Sequence, residues 1–222
     1  VTGTLSGIEP EGFGAEIIVF QRGFISRSAS VISARVSQGE GGSDHSWCSI
    51  KAVNFARKHD LLVSIRRGGH NIAGNAVCDD VLMIDLSLMK NVRVDPSARR
   101  ATVEAGRTLA DFDADAQVHD LATPLGINST TGVAGLTLGG GFGWLSRKYG
   151  MTVDNLLSVE VVTADGRRVH ACETEHADLF WGLRGCGGNF GIVTSFEFQI
   201  HPVGPGEVRA DAVRPLRRDD AG

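Results

Sequence analysis

No stretch of this sequence is apolar for the roughly 18–20 residues that a helix needs to cross a bilayer. The N-terminus has no basic segment followed by a clear apolar run, so a secretory signal is not expected. Cysteine is sparse: Cys48, Cys78, Cys172 and Cys186 lie far apart and form no C-x-x-C pair. Neither a structural metal site nor a disulfide framework is signalled, and a reducing cytoplasm is the default expectation. Charge of one sign is not in excess. Lys and Arg number 22 against 26 Asp and Glu, a formal net charge of −4 spread over 222 residues. That disfavours nucleic acid or an anionic membrane as the main partner, while leaving room for a local basic pocket. Internal repeats are not evident.

What is abundant is glycine, at 29 residues, in a chain whose 42% apolar content suffices for a core. The glycines are clustered, eight between Gly126 and Gly150 and five between Gly182 and Gly191. Such clusters mark backbone that turns sharply or approaches something closely, or else flexible linkers. The interleaved Leu136, Phe142, Trp144, Phe190 and Ile192 favour close approach.

Periodicity gives a mixed pattern. Residues 16–20 and 31–36 read as short strands, and 38–46 as a polar loop. An amphipathic helix follows from Trp47 and ends before Leu61. Residues 61–65 and 81–84 are apolar strands, and 92–95 with 101–105 form a hairpin. Thr108 is an N-cap for a helix reaching His119. Residues 156–163 and 168–172 flank an Asp165-Gly166 turn. Residues 178–183 are a short helix, and 191–200 alternate as a strand. A strand–helix–strand lobe followed by a hairpin-rich lobe predicts an α+β fold. The chain divides into an N-terminal segment (1–46), a main domain (47–204) and a tail (205–222).

Three segments carry candidate chemistry. In Arg66-Arg67-Gly68-Gly69-His70-Asn71, a strand runs into paired glycines whose N–H groups can cradle phosphate oxygens, with an arginine adding charge. An ordinary turn is the alternative. The segment matches neither a nucleoside-triphosphate P-loop nor a G-x-G-x-x-G opening a helix. The second, from Asn128 through Gly135 and on to Gly143, sets hydroxyls beside bare backbone, which suits a flat aromatic ligand or a packing seam between lobes. The third, residues 185–193, joins a helix to a buried strand. Its Cys186 has only Arg184 as a flanking cation and reads as structural. His70 can be a hydrogen-bonded structural residue or a nucleophile.

Taken together, residues 52–60, 68–74, 124–154 and 179–193 resemble, in order and spacing, the berberine-bridge-enzyme-like FAD-linked oxidoreductases of the vanillyl-alcohol-oxidase superfamily. They resemble its bacterial 6-hydroxynicotine-oxidase-like branch, and the resemblance covers about residues 50–204. It implies a two-lobed PCMH-type FAD-binding domain, with the family's substrate domain apparently absent. The implied cofactor is FAD, joined covalently to His70. Its implied contacts are Arg66, Arg67, Gly68, Gly69, His70 and Asn71 at the diphosphate. Thr130, Thr131, Gly132, Gly135, Gly140, Gly141, Gly143, Val153, Asp154 and Asn155 would line the flavin or adenosine side. Gly188, Asn189, Gly191, Ile192 and Val193 would add backbone contacts. No metal is implied. Asn128 stands where many relatives have a second flavin-linking cysteine, so a single link is expected. Arg67 and Cys186 stand where relatives usually have small residues, and residues 14–46 differ from the family's N-terminal segment.

The implied function is oxidation of a small organic substrate by hydride transfer to the flavin. A non-catalytic flavin-binding fragment is the alternative, and a sugar-nucleotide or other dinucleotide-phosphate binder a further one.

Overall fold

The computed structural model describes the backbone of residues 32–35, and residues 46–78 and 81–203 in full. The strand expected at 16–20, most of the N-terminal segment and the tail from 205 lie outside the described residues.

The first lobe is a parallel sheet. Strands β1 (Ile32–Arg35), β2 (Val63–Arg66) and β3 (Leu82–Asp85) lie in the order β1-β3-β2, with Ile32 and Val63 both opposite Leu82. Parallel neighbours need a crossover, and helix α1 (Ser46–Lys58) lies between β1 and β2 in the chain. Its buried Ser49, Ala52, Val53 and Ala56 recur at the spacing of one helical face. The helix ends as residue spacing predicts, on a left-handed Asp60 (φ 52°). The Leu61 N–H there reaches back to the Ala56 carbonyl (2.9 Å), and the Asp60 N–H to that of Arg57 (3.4 Å). The strand that follows runs later than expected and takes in Arg66.

The second lobe holds β4 (Val92–Asp95), β5 (Arg100–Glu104), helix α2 (Leu109–Gln117), the short strand β6 (Leu121–Ala122), helices α3 (Val133–Leu138) and α4 (Ser146–Tyr149), and a 3-10 turn (Thr152–Asn155). Then come β7 (Leu156–Val162), β8 (Arg168–Cys172), α5 (Ala177–Leu183), β9 (Ile192–Gln199) and β10 (His201–Pro202). Five strands form an antiparallel sheet in the order β4-β5-β9-β7-β8. Phe196, Phe198 and Ile200 are fully buried while Glu197 and Gln199 face outward, which is the alternation of a sheet covered on one face. Phe198 packs its ring 5.5 Å from that of Phe112 on α2. Thr108 caps α2 reciprocally: its hydroxyl accepts the Asp111 N–H (3.3 Å) and its own N–H donates to the Asp111 carboxylate (3.1 Å).

One core runs through both lobes, from Leu82 and Ile84 to Phe196 and Phe198. Helix α1 packs against β3 and also against β7 and β9. Arg57 on α1 donates to the Asp165 carbonyl (2.8 Å) in the β7–β8 turn. A helix inside the glycine-rich region was not expected. Val133, Ala134, Thr137 and Leu138 are buried, and that apolar face outweighs the low helix propensity of Gly135. The overall pattern is the two-lobed α+β arrangement that the sequence predicts.

Candidate flavin site

The three glycine-rich segments meet at α3. The Gly68 backbone lies so close to that of Gly132 that a Cβ on Gly68 would stand 2.8 Å from the Gly132 nitrogen. At the far end of α3, the Gly187 N–H donates to the Leu138 carbonyl (2.9 Å). Segments separated in sequence are thereby brought to one helix.

The loop after β2 presents free backbone donors. Among the described residues, the N–H groups of Gly68, Gly69, His70 and Asn71 have no acceptor. Gly69 holds φ at +72°, a left-handed conformation that suits glycine. Asn71 closes the loop, its side-chain oxygen accepting the Asn75 N–H (3.1 Å) and its carbonyl the Gly74 N–H (3.1 Å).

The arginines are placed differently from the expectation that they add charge to a phosphate. Arg66 pairs with Asp85 (2.8 Å), whose side chain is 3% exposed and also accepts the Ser87 N–H. It braces β2 to the end of β3. Arg67 turns inward, donating to the Arg107 carbonyl and lying across Gly132, where no Cβ would fit. Burial lowers its pKa to about 10, against the opposing pull of Asp111 and Asp85. Its Nε and Nη1 are buried without an acceptor. The open donors at this loop are thus backbone N–H groups, while both guanidiniums donate to protein acceptors.

His70 is exposed at the mouth of this loop, with Nε2 3.1 Å from the Thr130 hydroxyl. Thr130 and its neighbours are held over the start of α2, where Leu109 and Ala110 donate to the Thr131 and Ser129 carbonyls. Gly132 is the N-cap of α3, and Gly135 lies exposed on it with open space beside its α-carbon. Phe142 and Trp144, 68% and 63% exposed, flank Gly143.

Other expected residues lie deeper. Gly141 packs against Thr152 and Gly143 against the Leu125 carbonyl, so bulk there would meet protein; Gly140 faces the Met151 side chain. Val153 is buried with its carbonyl accepting from Arg184 (3.1 Å), while the exposed Asp154 accepts the Met151 N–H (2.8 Å). Asn155 is buried, donating to the Tyr149 and Met151 carbonyls and contacting His201 Nε2 (2.6 Å). Gly188 and Asn189 are exposed, and the Asn189 amide donates to the Cys186 carbonyl (3.0 Å). Gly191 packs against the Val162 carbonyl, and Ile192 and Val193 are buried in β9. Asp85, Arg107 and Asp111 were not anticipated. The signal for Asp85 was its place in a turn at a strand end, where a carboxylate bonds its own backbone.

Among the described residues there is no group of three or more His, Cys, Asp or Glu side chains able to hold a metal ion. No described helix is long and apolar enough to cross a membrane.

These features fit FAD. The unbonded N–H row suits a diphosphate, and the open space beside Gly135 leaves bare backbone of the kind a planar ring can approach.

Comparison with known proteins agrees. Residues 49–171 match the family described as FAD binding domain. An FAD-linked oxidoreductase of Dictyostelium discoideum is 40% identical over 154 residues, covering 69% of this chain and 34% of that protein. The crystal structure of 6-hydroxy-D-nicotine oxidase from Arthrobacter nicotinovorans superposes with a TM-score of 0.72 at 35% identity, covering 78% of this chain and 37% of that one. Glucooligosaccharide oxidase from Acremonium strictum, whose FAD is 6-S-cysteinyl and 8α-N1-histidyl, gives 0.69 at 34% identity, with 78% and 35% covered. The chain thus spans about a third of the length of these relatives. Loop, helix and sequence agree that this chain belongs to the berberine-bridge-enzyme-like FAD-linked oxidoreductases and carries their PCMH-type FAD-binding domain.

Proposed function

We propose that this chain is the flavin-holding part of an oxidoreductase that oxidises a small organic substrate by hydride transfer, with FAD joined to His70. The observation that carries this reading is the position of His70. It is an exposed imidazole at the end of an N–H row without acceptors, and it touches the second glycine segment through Thr130.

In this reading residues 68–71 bind the diphosphate through backbone N–H groups, and Asp85 and Arg66 hold the loop at its base. Gly135, exposed on α3 with open space beside it, leaves room for the ring system. Bound flavin supplies the two-electron acceptor, while the protein positions and tunes it. The His70 ring nitrogen would hold the flavin at its 8α carbon; forming that bond would release two protons, one from the methyl group and one from the ring N–H, with the two electrons passed on to oxygen or another acceptor.

Acid precipitation of the chain reconstituted with FAD tests this. Yellow colour should stay with the pellet, and His70→Ala should lose that fraction. Colour released wholly to the supernatant from the unaltered chain overturns the covalent link. Substrate-dependent bleaching without oxygen tests the oxidoreductase role.

A further inference from the structure

We propose that Asn128 and Thr130 are positioning residues that hold the His70 imidazole with its proton on Nε2, leaving Nδ1 as the free nucleophilic nitrogen. The consequence for attachment rests on the flavin reading above; the tautomer itself does not.

The Asn128 side-chain oxygen is the starting point. It lies 3.1 Å from the Thr130 backbone nitrogen. A backbone N–H can only donate, so the carboxamide must present its oxygen and not its nitrogen there. The same oxygen lies 2.8 Å from the Thr130 hydroxyl. Two oxygens at that distance need a hydrogen between them, and the carboxamide oxygen has none. The Thr130 hydroxyl hydrogen therefore points to Asn128.

That leaves the hydroxyl oxygen with lone pairs only on the His70 side. His70 Nε2 is 3.1 Å away. A hydrogen bond at this contact requires the proton to sit on Nε2. In neutral imidazole the other nitrogen then carries the lone pair. The ring's Cδ2 edge faces Gly68, with 3.6 Å between Cδ2 and the position of a Cβ there. Among the described residues Nδ1 makes no hydrogen bond. The ring is held by one edge and offers the other.

By the family resemblance Asn128 stands where many relatives have a flavin-linking cysteine. A thiol sulfur is a weak acceptor, a poorer partner than the carboxamide oxygen for the Thr130 N–H and hydroxyl.

The test is long-range proton–nitrogen NMR of the flavin-free chain labelled with 15N-histidine, above the titration range of histidine. The Nε2–H form should dominate at His70. Thr130→Val and Asn128→Ala should each lower the Nε2–H to Nδ1–H ratio about fivefold, the worth of one net hydrogen bond. Thr130→Ser and Asn128→Asp, which keep the acceptors, should restore it. The rate of acid-stable flavin attachment should follow the same order. A dominant Nδ1–H form, or a ratio unmoved by Thr130→Val, overturns the proposal. Absence of acid-stable flavin on the unaltered chain sinks attachment at His70 while the spectrum still decides the relay.

Discussion

The Arg67 guanidinium lies across the α-carbon of Gly132 and donates to the carbonyl of Arg107. A cation is thereby buried beneath a loop otherwise built from backbone. The Arg107 carbonyl already accepts the Val133 N–H at 3.0 Å, so it does not depend on Arg67. Two guanidinium nitrogens lack acceptors, each an unmade hydrogen bond. Arg67→Ser should therefore raise stability, by about 1–3 kcal/mol for relief of an unsatisfied buried group. The sign follows from linkage. The folded pKa lies near 10, below the ordinary 12.5, so at neutral pH the charge costs stability, and the cost eases only as pH rises beyond that value. Urea unfolding of the two proteins decides; a lower midpoint for the serine variant counts against it.

On the outer face of the second sheet, Glu160 accepts from Arg168 Nε (2.8 Å) and pairs with His170 Nδ1 (2.9 Å). The hydrogen bond to Glu160 raises the His170 pKa above 6.5. The pairing thus adds stability that is fully present below the ordinary histidine value and is lost as pH rises through the raised one. His170 is 39% exposed, so solvent screens the effect and titration is the better readout. In Glu160→Gln the NMR titration midpoint of His170 should move down. An unchanged midpoint removes Glu160 as the cause.

Cys172 stands two residues along the same strand, its sulfur 3.4 Å from the Thr174 hydroxyl. Hydrogen bonds from the Thr174 side chain and backbone, with His170 as a nearby charge, lower its pKa below 9.0. Iodoacetamide should therefore alkylate Cys172 at lower pH than it does a free cysteine peptide. Thr174→Ala should shift the rate profile upward. Peptide mapping by mass spectrometry reads both.

Gly106 follows β5 and is buried against the backbone carbonyls of Leu86 and Met89, leaving no space for a Cβ. Gly106→Ala forces main chain apart and should cost about 3 kcal/mol or more. Gly135→Ala, with nothing within 4 Å of the added methyl inside α3, is the contrast that should hold or raise stability, by about 0.5–1 kcal/mol. Equal midpoints for the two variants would refute this packing account.

Much of this was legible in the sequence, for identifiable reasons. β9 shows itself because Phe196 and Phe198 alternate with Glu197 and Gln199, and α1 because Ile50, Val53, Phe55 and Ala56 give it an amphipathic pattern, although the face it buries is the one with Ser49 and Ala52. Helix α3 was hidden because six residues, one of them glycine, are too few to establish a period. Strands β6 and β10 hold only two residues each and exist through their pairing to one another. That the glycine segments converge was implied only by resemblance, and that they do so at a helix was not implied at all. The inward turn of Arg67 was not readable, since a guanidinium beside two glycines reads equally well as pointing outward. His70 and Thr130 are 60 positions apart, and local chemistry gives no hint of their contact.

The strand order also bears on how the domain is made. β9 lies between β5 and β7, yet it follows both in the chain. Until residues 192–199 arrive, β5 and β7 each present an open edge toward the other. The sheet must close by inserting its middle strand last, across pairings as distant as Arg100 with Gln199. Such late, long-range pairing folds slowly and leaves sticky edges exposed while the chain waits. A growing polypeptide paused before β9 is the species on which a chaperone would act.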